Sequence, residues 1–92
     1  MEVYGQIIIN IVRRQEAIIG PVAVEQAEHI PHLKLDWTNK QVEIEGDPIP
    51  VIDNLVHAYS RLFGKISVEV SKEAAVSLLH QLHPNRLPHS LE

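Results

Sequence analysis

The sequence predicts a small α+β fold in which helices cover one face of a β-hairpin. Apolar residues recur every three or four positions in the first, middle and last parts of the chain, a spacing typical of amphipathic helices. Between residues 33 and 45 they alternate with polar residues instead, which indicates strands. With 92 residues, the chain is expected to form one domain, since two cores would each be too small to offset the entropy of ordering. We expect residues 1–83 to be compact and 84–92 to be a flexible tail.

The first predicted helix, Val3 to Ile19, carries more aliphatic surface than a chain of this size easily buries. Such a helix either runs through the core or packs against another chain. We expect the second, so that the protein is a homodimer. The candidate interface residues are Tyr4, Ile7, Ile8, Ile11, Val12 and Ile18.

Glycine and proline divide the next part of the chain into a short helix and a hairpin. Gly20-Pro21 ends the first helix and starts a second, which Pro31 ends near Ile30. The strands follow, with their apolar residues on one face: Leu33, Leu35, Trp37, Val42 and Ile44.

Asp47-Pro48 is a strong helix start, and the regular apolar pattern after it predicts a long helix from Asp47 to Phe63, ended by Gly64. Residues 66–70 fit two structures. Their alternating β-branched residues favour a short strand, with the start of a helix as the alternative, and a C-terminal helix is expected over residues 72–82. Leu91-Glu92 is interpreted as the remnant of a purification tag.

Charge and composition argue against several classes of protein. The net charge is −4 and the eight Lys and Arg residues are scattered, so nucleic acid is not an expected partner. Without cysteine there is no disulfide or thiolate site. No signal peptide or membrane-spanning segment is visible. We expect a soluble cytoplasmic protein; a peripheral position on an internal membrane, with the first helix at the membrane surface, is the alternative.

No catalytic, cofactor-binding or metal site is expected. His29 and His32 are three residues apart, as metal ligands on a helix often are, but Pro31 between them should end the helix. Ligand candidates of lower weight are Trp37 and Tyr59, in a pocket between hairpin and helices, His57 on the long helix, and the His29 and His32 pair.

Three segments carry a resemblance to known proteins: residues 18–23 (IIGPVA), 46–48 (GDP) and 62–65 (LFGK). On these segments the chain is similar to a group of short, uncharacterised single-domain proteins of cyanobacteria. The resemblance spans nearly the whole chain and transfers no catalytic or binding residue. It implies an association with photosynthetic membranes.

The sequence therefore favours a small non-enzymatic interaction module that self-associates, with an unidentified protein as a further partner. A regulatory protein that binds a small molecule or a metal is the alternative, and a small enzyme ranks third.

Overall fold

The computed structural model describes residues 2–92 and confirms the α+β fold. Four helices and one antiparallel hairpin follow each other in the chain, and two short 3-10 helices close it. The elements are α1 (Val3–Ile19), α2 (Val22–Glu28), β1 (Leu33–Asp36), β2 (Gln41–Ile44), α3 (Pro48–Phe63), α4 (Lys65–Leu79) and the 3-10 helices Pro84–Arg86 and His89–Leu91.

Helix α1 is the centre of the fold, packed by α2, β2, α3 and α4. The middle of its apolar stripe meets no water, because Ile7, Ile8, Ile11 and Val12 are each 0 % exposed. At its start, the Glu2 carboxylate accepts hydrogen bonds from the backbone N–H groups of residues 4 and 5, which the helix itself leaves unpaired. The single domain therefore buries most of the apolar surface of α1, which the sequence predicts to be in excess.

The hairpin forms with the predicted alternation. Leu33 pairs with Ile44 and Asp36 with Gln41, so the apolar side chains share one face and Lys34 and Glu43 lie on the other. Lys40 closes the turn with a positive φ of 51°. Two strands alone are marginally stable, and the hairpin is held by packing against α1 and α2.

Helix α3 begins and ends where the sequence predicts. The Asp47 carboxylate accepts a hydrogen bond from the Ile49 N–H at 3.0 Å, and this bond, together with the Arg86 guanidinium at 2.8 Å, lowers the pKa of the Asp47 carboxyl. Gly64 ends the helix with φ 78° and ψ −167°. Only glycine adopts this region without a steric penalty.

The strand predicted at residues 66–70 is wrong, because α4 is helical from Lys65 onward. The alternation of β-branched residues indicated a strand, but these residues are not the ones that α4 buries. Ile66 is 70 % exposed, whereas Ser67 and Ser71 are buried. The inner face of α4 is made of serine and alanine, which allow a close approach to α1. The end of the helix also differs, at Leu79 rather than Leu82.

Helices α1 and α4 run antiparallel and are joined by a buried polar contact. The Gln15 side-chain amide donates to the Ser67 carbonyl at 2.9 Å and to the Ser71 hydroxyl at 3.1 Å. Gln15 is 1 % exposed, so an amide without these two acceptors would be costly to bury.

The prediction of a loose tail at residues 84–92 does not agree with the structure, in which this segment packs on the core. Leu91 is 4 % exposed and Pro88 is fully buried. The Ser90 N–H donates to Asp53 at 3.0 Å, and the Tyr4 hydroxyl donates to the Arg86 carbonyl at 2.8 Å. Apolar side chains within the polar segment, together with these bonds, hold it against α3 and α4.

We expect Gly64→Ala to lower the free energy of unfolding by about 1–3 kcal/mol, because an L-residue is strained at this φ and ψ. A Cβ there would meet nothing within 4 Å, so the cost is conformational rather than steric crowding by neighbours. Gly64→Val should cost more, since β-branching worsens the clash with the local backbone. Urea unfolding of both variants beside Lys65→Ala, an exposed control, measures this. A Gly64→Val protein as stable as the parent would mean that α3 does not end at Phe63.

We expect Leu91→Ala to cost about 2–3 kcal/mol, because it removes a buried side chain from the core. His89→Ala, two residues earlier and exposed, should stay within about 0.5 kcal/mol of the parent. Equal melting of the two variants would show that the C-terminal segment contributes no packing.

Candidate functional site

The structure buries four of the six predicted interface residues within one chain. Ile7, Ile8, Ile11 and Val12 contact the domain's own core, so the prediction that they form an interface is wrong. The physical reason is that the domain covers α1 on several sides instead of leaving one face open. Tyr4 is half-buried, with its hydroxyl bonded to the C-terminal segment. Ile18, the sixth, is 63 % exposed.

Ile18 belongs to a group of exposed apolar side chains at one end of the molecule, which we call the apolar end: Ile18, Leu62, Phe63 and Ile66. Leu62 is 53 % exposed, Phe63 36 % and Ile66 70 %. Three helix termini bring them together. Helix α3 ends at Phe63 and α4 begins one residue later, and Gln15 places the last turn of α1 beside Ser67.

Charges of both signs lie around the apolar end. Arg61 precedes Leu62 on the last turn of α3, Lys65 precedes Ile66, and Glu69 follows one turn later on α4; all three are exposed. Lys72 lies 4.0 Å from Glu69, an exposed pair that contributes little to stability.

The pocket expected at Trp37 and Tyr59 is not formed by these two residues. Tyr59 is 0 % exposed and its hydroxyl donates to the Ala23 carbonyl at 2.6 Å. Burial raises the pKa of this phenol, so it stays protonated and holds α2 to α3. Trp37 is half-buried: its indole N–H donates to Glu16 at 3.3 Å, and the Lys40 ammonium lies 4.0 Å from the ring centroid.

A groove of about 600 Å³ does lie between the hairpin and α1. It is lined by Glu2, Gly5, residues 41–44, Gly46 and Pro48. Its charged groups are the carboxylates of Glu2 and Glu43, and Glu2 is already engaged in capping α1.

The structure brings two predicted ligand candidates, His29 and His57, into one cleft of about 450 Å³ between α2 and α3. We call it the basic cleft. Apolar atoms of Ile30, Pro31 and Ala58 line it together with a set of polar side chains: Gln26, His29, Asn54, His57 and Arg61. Helical spacing places Asn54, His57 and Arg61 on one face of α3.

The polar groups of the basic cleft have a net positive character. No carboxylate is among the residues that line it, and Arg61 carries a full charge. The side chains of Asn54, His57 and Arg61 have no hydrogen-bond or ion-pair partner among residues 2–92.

His29 is oriented by its own helix. Its Nδ1 lies 2.7 Å from the Glu25 carbonyl oxygen, which only accepts, so Nδ1 carries the proton and Nε2 is the nitrogen left for a ligand. The His29 and Ile30 N–H groups donate to the carbonyls of residues 26 and 27. The carbonyls that end α2 are thereby engaged, which reduces their repulsion of an anion.

His32 is exposed, has a positive φ of 66° and does not line the basic cleft. Within residues 2–92, no group of three or more His, Asp or Glu side chains is placed to hold a metal ion.

Sequence reasoning assigned several of these residues differently. Leu62 and Phe63 fit the core-facing pattern of α3, but they lie on its last turn and remain exposed. Nothing in the sequence marks Arg61 or Asn54 as part of a binding site. Their helical spacing from His57 follows from the sequence, but the packing of α2 against α3 does not.

Comparison with family models, curated proteins and solved structures gave no match to this chain. The resemblance to short cyanobacterial proteins therefore stays a prediction. None of the helices within residues 2–92 is long and apolar enough to cross a membrane.

We expect zinc or a chelator to leave the melting temperature of tag-free protein unchanged. His29 and His32 do not line the same cleft, and stable zinc binding needs several ligands in a tetrahedral arrangement. Thermal melts with and without zinc measure this. A stabilisation that disappears in His29→Gln would contradict it and identify a metal site.

Proposed function

We propose that the protein is a non-enzymatic interaction module that self-associates through the apolar end. The observation that carries the proposal is the exposure of four large apolar side chains at one end of a domain that is otherwise well packed. Clustered apolar surface of this kind is typical of protein interfaces. Within residues 2–92 the other exposed large apolar residue is Val76, which lies alone on α4.

The rim of the apolar end favours a second copy as the occupant. A two-fold dimer brings the same surface together from both chains, so the surface must complement itself. Arg61 lies on the last turn of α3, and Lys65 and Glu69 lie one turn apart on α4, so both signs of charge border the apolar end. A two-fold axis near Ile66 lets the cations of one chain approach Glu69 of the other, while the apolar side chains meet at the centre.

The small size of the apolar end sets the strength of the association. Four side chains on one face make an interface smaller than those of permanent dimers. We therefore expect a monomer–dimer equilibrium that depends on concentration, rather than an obligate dimer.

The alternative function, binding of a small molecule, is favoured by a separate observation. The basic cleft contains convergent polar groups over an apolar floor, as ligand sites do. The two surfaces share Arg61, which lines the cleft and lies at the rim of the apolar end, and their other residues differ.

We expect Ile66→Glu to shift the protein to the monomer, because it places a charge at the centre of the interface and leaves the core intact. Sedimentation equilibrium over a range of concentrations measures the change. The matched control is Val76→Glu, on the same helix and 64 % exposed, which should dimerise like the parent.

Two results would contradict the proposal. One is a parent protein that stays monomeric at every concentration; the other is an Ile66→Glu variant with the parent's mass. Ile18→Glu provides a second test on a different helix, and circular dichroism confirms that each variant is folded.

A further inference from the structure

We propose that the basic cleft between α2 and α3 binds a phosphate monoester. This site is separate from the self-association surface in its chemistry, since nitrogen donors rather than apolar side chains would hold the ligand. Three observations support the proposal. Nitrogen donors from two helices line the cleft, apolar residues line it as well, and the side chains from α3 have no partner among residues 2–92.

The donors come from two helices that face each other. His29, at the C-terminal end of α2, leaves Nε2 for a ligand because its Nδ1–H is bonded to the Glu25 carbonyl, and Nε2 is a donor when the ring is an imidazolium. From α3, His57 and Arg61 lie one turn apart, with the Asn54 amide one turn before His57. The oxygens of a phosphate group accept hydrogen bonds from several directions, and this matches donors that come from two different helices.

The charges of the cleft select an anion. Arg61 is always protonated, and no carboxylate lies among the described lining residues to neutralise it. The imidazolium forms of His29 and His57 add donors to the same cleft.

The floor of the cleft selects an ester over inorganic phosphate. Three apolar residues are part of the lining: Pro31 is exposed, and Ile30 and Ala58 are 8 % and 3 % exposed. An apolar body attached to the phosphate would cover mainly Pro31 and remove its surface from water. The volume of about 450 Å³ is within the range of small-ligand sites.

The experiment is a titration of ¹⁵N-labelled, tag-free protein with phenyl phosphate, followed by the backbone amide signals and compared with sodium chloride at equal ionic strength. We expect saturable shifts at residues 26–30 and 54–61. Inorganic phosphate and benzoate should bind more weakly, because the first lacks the apolar body and the second lacks the third oxygen.

His57→Gln and Arg61→Gln should each weaken phenyl phosphate binding about tenfold, since each removes a charge-assisted hydrogen bond. Arg14→Gln is the matched control: Arg14 is exposed on α1, lies 3.5 Å from Glu73 and is outside the cleft. The Arg14→Gln variant should bind phenyl phosphate with the same affinity as the parent protein.

Three results would overturn the proposal. The first is the absence of saturable shifts in these two segments. The second is equal affinity for phenyl phosphate in the parent and in both cleft variants. The third is binding of benzoate or inorganic phosphate as tight as that of phenyl phosphate. His57 lies outside the apolar end, so its variant separates loss of ligand binding from any change in self-association.

Discussion

The fold depends on the antiparallel contact between α1 and α4. Helix α1 supplies the large aliphatic side chains, and α4 approaches it with serine and alanine. Near one end of this contact, the Gln15 amide donates to two acceptors on α4. A slide that brought Ala75 to the place of Ser71 would remove the hydroxyl acceptor, so the contact favours the observed turn of α4 beside Gln15. The positions of α3 and of the C-terminal segment follow, since both pack on α4.

Local signals in the sequence predicted most of the elements and two ends of α3. Asp47 acts through a side-chain bond to its own helix, and Gly20 and Gly64 act through their backbone geometry, so none of the three depends on distant partners. The hairpin followed from alternation alone, because one of its faces is in water. The start of α4 could not be found in this way. Its buried face consists of serine and alanine, which are too small and too weakly apolar to show a helical pattern. The alternation of Ile66 and Val70 with polar residues therefore indicated a strand.

The candidate surfaces were predictable only in part, for the same reason. The sequence predicts Ile18 as an interface residue, and the His29 and His32 pair and His57 as ligand candidates, but it does not relate residues of different helices to each other. What groups them is the tertiary packing: the meeting of three helix ends for Ile18, and the approach of α2 to α3 for the histidines. The buried part of α1 differs. Its apolar pattern is strong and predicts an interface between chains, because the sequence does not show how many elements of the same chain cover the helix.

The last turn of α3 takes part in both surfaces. Arg61 lines the basic cleft, and Leu62 beside it belongs to the apolar end. The hydrogen bond from the Tyr4 hydroxyl to the Arg86 carbonyl has a different consequence. It ties the N-terminal turn of α1 to the C-terminal segment, whereas the apolar end lies at the other end of α1. A fluorescent protein or surface tether fused to either terminus would therefore emerge far from the apolar end, and in a two-fold dimer the four attachment points would face outward in two pairs.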